Sequence, residues 1–191
     1  MANAEELRRL KGLGYKVIYI DETTYTKAQY KNLEWSGLRH NYEFDMKYLD
    51  EPCLCLLMGI SEEEGVEHWQ IFETSVNNEK FGEYLKGLRA ANKNQKIAVF
   101  MDNLSVHQSK DSQAALKKLK IEHVFNVPYS PEFNPIELVF SMLKRHFYSK
   151  RSAAMIKGQR PDLPRLITKG IETLEKEKIQ NCVRHALGLM N

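Results

Sequence analysis

Acidic residues directly follow two short apolar runs in this sequence, where charge is unusual. Asp21 and Glu22 follow the run 17–20, and Asp102 follows the run 97–101. Aspartate is disfavoured inside strands, and a buried carboxylate needs hydrogen bonds, a cation or a metal. Each aspartate alone is equally explained by a strand-end turn or a helix cap. The sequence therefore leaves both interpretations open for each acid taken by itself.

A third acid, Glu137, stands at the start of an amphipathic segment. Asn134 can cap a helix in which Pro135 is the first residue and Glu137 the third. That pattern is typical of a capping box, which stabilises a helix start and implies no chemistry. Alternatively, Glu137 turns towards the edge of the sheet while its apolar neighbours face the core.

The residues around these acids resemble a known family signature. Residues 129–137 read Tyr-Ser-Pro-Glu-Phe-Asn-Pro-Ile-Glu, similar to the Y-S-P-x-x-N-P-I-E of mariner-like transposases and related bacterial insertion-sequence transposases. Residues 102–107 resemble the D-N-x-x-x-H around that superfamily's second aspartate, and residues 20–22 resemble its first. Between Asp102 and Glu137 lie 34 residues, one of the spacings that this DDE group uses. The resemblance covers roughly residues 15–150.

The resemblance implies a ribonuclease H-like fold in which Asp21, Asp102 and Glu137 converge as catalytic and metal-binding residues. Converging carboxylates repel one another and raise their pKa values unless divalent cations separate them. Mg²⁺, for which Mn²⁺ substitutes, suits oxygen ligands and accepts phosphate oxygens. Two ions roughly 3.5–4 Å apart serve in-line phosphoryl transfer. The implied activity is cleavage of double-stranded DNA at transposon ends and transfer of the 3′ ends to target DNA.

Four polar residues in or beside these motifs are candidates for supporting roles. Glu22 either binds a metal through water or faces solvent at a strand end. Asn103 and His107 either orient a phosphate or a metal-bound water, or are structural residues. Asn134 is expected to be a helix cap whatever else it does.

A basic stretch follows the segment that carries Glu137. Lys144, Arg145, Lys150 and Arg151 are interleaved with aromatic residues, and such a run can neutralise DNA phosphates. The alternative is a solvated helix face. Arg39 lies in a segment where relatives place elements that contact DNA or a partner, but that segment carries no strong motif.

Periodicity places the acids on a mixed sheet. The predicted strands are residues 15–20, 53–60, 68–74, 96–101 and 123–127, and the predicted helices are 4–13, 77–91, 109–119, a segment from about 135 and a region from about 163. The expected fold is α/β, with a mixed central sheet flanked by helices and a C-terminal helical appendage. Residues 149–164 read as a loop, so we expect a catalytic domain at 1–150 and a linker with packed helices at 151–191.

Composition limits the classes of partner. The 191 residues carry a net charge of +3, too little for a polycationic tail, and the longest apolar runs are shorter than the roughly 20 residues of a membrane span. We therefore expect no membrane and an intracellular location with chromosomal DNA: the nucleus in a eukaryote, the cytoplasm or nucleoid in a bacterium. About 20 residues precede Asp21, so we expect no N-terminal helix-turn-helix domain and a separate DNA-binding subunit as one source of end recognition. The family resemblance implies a homodimer or larger assembly, because two transposon ends are handled together.

The sequence lacks the motifs of two common nucleotide-binding folds. The sequence has no G-x-x-x-x-G-K-[ST], which a P-loop ATPase requires, and Gly12-x-Gly14 lacks the third glycine of a dinucleotide fold. Two alternatives stay open. One is a ribonuclease H-like nuclease or resolvase that does not join DNA, and the other is a domesticated, non-catalytic DNA-binding protein.

Overall fold

A computed structural model describes residues 2–25 and 53–189. Arg39, predicted to contact DNA, lies outside the described residues. The strands are β1 (Lys16–Tyr25), β2 (Leu54–Ser61), β3 (Gly65–Phe72), β4 (Ile97–Met101) and β5 (Ile121–Phe125). The helices are α1 (Ala2–Gly12), α2 (Asn78–Ala91), α3 (Ser105–Gln108), α4 (Lys110–Lys118), α5 (Ile136–Ile156), α6 (Leu163–Glu172) and α7 (Lys176–Leu189), with a 3-10 turn at Pro131–Phe133.

The strands form one mixed sheet in the order β3-β2-β1-β4-β5. β1 and β2 pair antiparallel, as do β2 and β3, whereas β4 runs parallel to both β1 and β5. Helices cover both faces, so the predicted mixed sheet flanked by helices is confirmed. Because β1, β4 and β5 are parallel, polar residues that follow their pairing meet at one edge of the sheet.

Alternation along β1 assigns neighbouring side chains to opposite faces of the sheet. Val17 and Tyr19 belong to a core shared with α1, α5, α6 and α7. Ile18 and Ile20 belong to a second core shared with α2 and α4. Continuing this alternation places Asp21 on the α5 face and Glu22 on the opposite face.

Two of the predicted boundaries that were wrong bear on the site and on the domain division. β1 does not stop before Asp21, because its pairing with β2 continues to Tyr25, although its pairing with β4 ends at Tyr19. Asp21 and Glu22 therefore lie inside β1, just beyond the residues that pair with β4. In addition, α5 continues to Ile156, so the loop before α6 begins later than residue 149.

The C-terminal helices pack into the same core as the sheet. Leu163, Ile167, Ile179 and Val183 all belong to the cluster that contains the β1 and α5 side chains. α6 begins at an N-cap, Asp162, whose side chain accepts the backbone N–H of Arg165. None of the described helices is both long and apolar enough to cross a membrane.

Candidate active site

The three acids singled out by the sequence line one cleft of about 370 Å³. Asp21 comes from β1, Asp102 follows β4 directly, and Glu137 lies in the first turn of α5. The cleft opens at the edge where β1 and β4 separate, as expected for a site at the carboxyl end of parallel strands. The remaining wall comes from the residues after β4 and β5 and from the turn before α5: Asn103, Leu104, residues 126–131 and Asn134.

Asp21 is the buried member of the group, with 9% of its surface exposed. Its Oδ1 accepts the backbone N–H of Glu22 at 2.7 Å, and its Oδ2 accepts the Asn134 Nδ2 group at 3.2 Å. Burial, and then the charge of Asp102, raise the pKa of Asp21 to about 8. Since charged neighbours contribute to this shift, the carboxylates interact through the cleft.

Asn134 does not have the predicted capping role. The N-cap of α5 is Pro135, which makes no side-chain cap hydrogen bond. The Nδ2 group of Asn134 instead donates to the Ile20 carbonyl at 3.4 Å as well as to Asp21. Both neighbours are acceptors, so the amide nitrogen must face them. Asn134 therefore connects the start of α5 with the acid-bearing end of β1.

Asp102 is held by a buried histidine. His107 Nδ1 lies 2.8 Å from Asp102 Oδ1, and its Nε2 lies 3.2 Å from Glu22 Oε1 on β1. Burial by itself lowers the pKa of His107, but hydrogen bonds to Asp102 and then Glu22 raise it to about 10. The imidazolium accordingly links the two carboxylates across the sheet edge, which assigns Glu22 to an ion pair rather than to open solvent.

Glu137 is exposed, and its backbone N–H donates to the Asn134 carbonyl at 3.2 Å. No cap hydrogen bond from a side chain marks this helix start, so the capping-box explanation of Glu137 is wrong. Among the described residues, no three His, Cys, Asp or Glu side chains stand close enough together to hold a metal ion as they are. The all-oxygen donor set still fits Mg²⁺, which commonly takes one or two carboxylates and completes its shell with water and substrate phosphate.

The sequence reasoning missed residues after β5 that line the cleft. Asn126 follows β5 as Asp102 follows β4, and its backbone N–H donates to the Met101 carbonyl at 2.7 Å. Asn103 donates through its Nδ2 to the Asn126 carbonyl, so this candidate is tied to the loop that carries Tyr129. A polar residue directly after a third parallel strand was the signal that could have found Asn126.

The predicted DNA-contacting residues of α5 do not share one environment. Arg145 and Lys150 are exposed and Lys144 is partly exposed. Arg151 is 2% exposed, and its guanidinium lies 5.9 Å from the centre of the Phe147 ring. Burial removes Arg151 from the surface that DNA would contact, so that prediction is corrected: Arg151 stands four residues after Phe147 and continues the buried stripe of α5.

Comparisons with known proteins agree with this geometry. Residues 16–158 match the family model described as DDE superfamily endonuclease. No curated protein sequence matches the chain. The solved catalytic domain of Mos1 mariner transposase is similar in structure, with a TM-score of 0.64 at 15% identity, covering 98% of this chain and 86% of that one.

Two further solved structures are similar. The Mos1 strand transfer complex gives a TM-score of 0.64 at 16% identity over 98% of this chain and 57% of that one, so the chain spans little more than half of that transposase. The Mos1 catalytic domain with raltegravir and Mg gives 0.64 at 16% identity over 98% and 87%. At these identities the likeness concerns the fold, and it confirms the expected ribonuclease H-like architecture.

Proposed function

The chain belongs to the DDE superfamily of endonucleases, and from this we propose that it cuts DNA at the ends of a mobile element and joins the freed 3′ ends to target DNA. The observation that supports this proposal is that acids from β1, from the end of β4 and from α5 all line one cleft. We propose Asp21, Asp102 and Glu137 as the catalytic and metal-binding residues.

The chemistry requires a divalent cation, because DDE endonucleases depend on one, and we propose two Mg²⁺ ions per site, with Mn²⁺ as a substitute. Bound by the three carboxylates, these ions would activate the attacking oxygen and offset charge on the leaving oxygen. Neighbouring groups of the protein orient the carboxylates of Asp21 and Asp102. Asn134 and the Glu22 amide fix both oxygens of Asp21, while His107 and the Leu104 amide hold Asp102 Oδ1.

We propose double-stranded DNA as the partner, both as transposon end and as target. Exposed Lys150 and Arg145 on α5 lie on the helix that carries Glu137, where they can neutralise phosphates. Because two transposon ends must be handled together, we propose that the active form is a homodimer or larger assembly. The chain then works wherever chromosomal DNA is found.

We also propose that residues 1–150 form the catalytic domain and that residues 151–191 form a linker with helices packed on it. The shared core of α6, α7 and the sheet supports this packing. Since α5 crosses residue 150, the two parts are joined by a continuous helix rather than by a flexible loop.

Nicking of supercoiled plasmid tests the proposed activity. Wild type, Asp102→Ala and a control, Asp111→Ala on the exposed side of α4, are each incubated at low salt with Mn²⁺, Mg²⁺ or chelator. We expect metal-dependent nicking by wild type and the control and none by Asp102→Ala. Equal nicking by all three proteins would point to a contaminating nuclease.

Joining is tested separately with a short duplex that ends in a free 3′-hydroxyl. Strand transfer covalently attaches the labelled duplex to the plasmid, whereas a nuclease or resolvase leaves the label free. Nicking without joining would favour the ribonuclease H-like nuclease. Absence of nicking, of joining and of any rise in melting temperature with Mn²⁺ would favour a non-catalytic DNA-binding protein, because a site built from clustered carboxylates gains stability from its cation.

A further inference from the structure

Tyr129 stands at the cleft in a conformation that its own packing does not explain. The residue is 102% exposed, so none of the described residues covers its ring. Its φ is 60°, in the left-handed region that costs residues other than glycine roughly 1–2 kcal/mol. A strained, fully exposed aromatic residue that lines a cleft of carboxylates indicates a function in binding.

The loop that carries Tyr129 is braced. Asn126, which is buried, donates through Nδ2 to the Ser130 carbonyl at 2.7 Å, and its Oδ1 accepts the Val127 N–H at 2.8 Å. Pro128 and Pro131 flank the turn and restrict its backbone. Because the backbone N–H of Asn126 also donates to the carbonyl of Met101, directly before Asp102, the backbone that carries Tyr129 is tied to the strand end that carries this acid.

A second apolar side chain lies on the same cleft. Leu104 is 47% exposed. Its backbone N–H donates to Asp102 Oδ1 at 3.3 Å, so this residue lies beside the acid. The cleft thus combines acids with an exposed leucine and an exposed aromatic ring. A nucleotide carries the matching pair of groups, since its phosphate suits a cation held by carboxylates and its base offers a flat apolar face.

We propose that Tyr129, together with Leu104, binds an unpaired nucleobase next to the phosphate that the carboxylates act on. The inference rests on the proposed function. The base must be unpaired or terminal, because the faces of a base inside a duplex are already covered by its neighbours. A volume of about 370 Å³ also lies in the range of pockets for one small ligand, so the cleft has room for one nucleotide.

The test uses a duplex with a short single-stranded end in which the unpaired bases are 2-aminopurine, whose fluorescence falls on stacking. Binding is measured at low salt with Ca²⁺, an oxygen-binding cation with flexible geometry. We expect quenching by wild type and by Tyr129→Phe. Tyr129→Ala should bind this DNA about 5- to 150-fold more weakly than wild type, the range for loss of one base–aromatic stack. Tyr129→Gly, which also removes the backbone strain, should lose affinity to the same extent.

The same duplex with an abasic single-stranded end supplies the decisive comparison, because that end keeps its phosphates and lacks its bases. Wild type and Tyr129→Gly should bind it equally, and Leu13→Ala, an exposed leucine before β1, should behave as wild type throughout. Quenching by Tyr129→Gly equal to that of wild type, or an equal loss of affinity for intact and abasic DNA, would overturn the inference.

Plasmid nicking separates this result from the proposed function. If nicking depends on Asp102 while quenching does not depend on Tyr129, the proposed function stands and the base subsite is overturned. If nicking fails while the affinity difference between intact and abasic DNA depends on Tyr129, the subsite stands as a DNA-binding feature and the proposed activity does not.

Discussion

Asp21→Asn is expected to alter how the stability of the metal-free chain depends on pH. Burial, and then the charge of Asp102, raise the pKa of Asp21 from 3.8 to about 8. The folded chain therefore binds this proton more tightly than the unfolded chain does. Its contribution to stability is fully present below pH 3.8 and is lost as the pH rises through about 8.

The size of the effect follows from that shift. One pKa unit corresponds to about 1.4 kcal/mol, so the interval from 3.8 to about 8 gives an upper limit of about 6 kcal/mol. Between pH 5 and pH 8 the limit is about 4 kcal/mol. Side-chain rearrangement and entry of water lower this value, and we expect the free energy of unfolding of wild type to fall relative to the variant by at least about 2 kcal/mol.

Urea unfolding followed by circular dichroism, with chelator, at four values between pH 5 and pH 8 measures this difference. The variant should be similar to wild type at pH 5 and more stable at pH 8, because asparagine cannot ionise. Asp111→Asn, an exposed acid on α4, is the matched control and should run parallel to wild type. Parallel curves for wild type and Asp21→Asn would refute the reasoning, since they would mean that the buried carboxyl does not retain its proton.

Three further perturbations separate the roles of the surrounding residues. Asn134→Ala should reduce the Mn²⁺-induced rise in melting temperature and lower nicking by about 10- to 100-fold, as loss of a group that orients a metal ligand does. His107→Gln should destabilise the chain by about 3 kcal/mol in urea unfolding, because it leaves two carboxylates without the cation between them. Since hydrogen bonds raise the pKa of His107 to about 10, this stabilisation is fully present below pH 6.5 and the difference should shrink as the pH approaches 10. Lys150→Ala should lower the slope of log affinity for DNA against log salt by about 1, the effect of one phosphate contact, whereas the buried Arg151→Ala should lower stability in urea and leave that slope unchanged.

The first perturbation has a matched control variant, and the second has an outcome that would contradict it. Asn92 is the buried C-cap residue of α2, and its side chain donates to the Leu88 carbonyl. It is a matched asparagine whose replacement by alanine should cost stability without changing the response to Mn²⁺. An equal response of Asn92→Ala and Asn134→Ala to Mn²⁺ would mean that Asn134 is only structural. A constant difference between wild type and His107→Gln from pH 6 to pH 10 would contradict the ion pair.

The sequence by itself determined the acids and the class of fold. Short apolar runs that end in Asp21 and Asp102 are local patterns, and local patterns are sufficient to identify strands and the polar residues beside them. The helix from Asn78 is also local, because Phe81, Leu85 and Leu88 repeat at helical spacing and are buried as expected. Family resemblance supplied the link from these residues to DNA chemistry.

Only the tertiary structure decided which face each polar side chain occupies and what it contacts. The partners of His107 lie 5 and 85 residues away, and Asn134 reaches an acid 113 residues away, distances over which sequence periodicity carries no information. Alternation in β1 and helical spacing in α5 tell which side chains share a face. Only the packing of the helices on the sheet decided which of those faces is buried, as it is for Arg151 and not for Lys150.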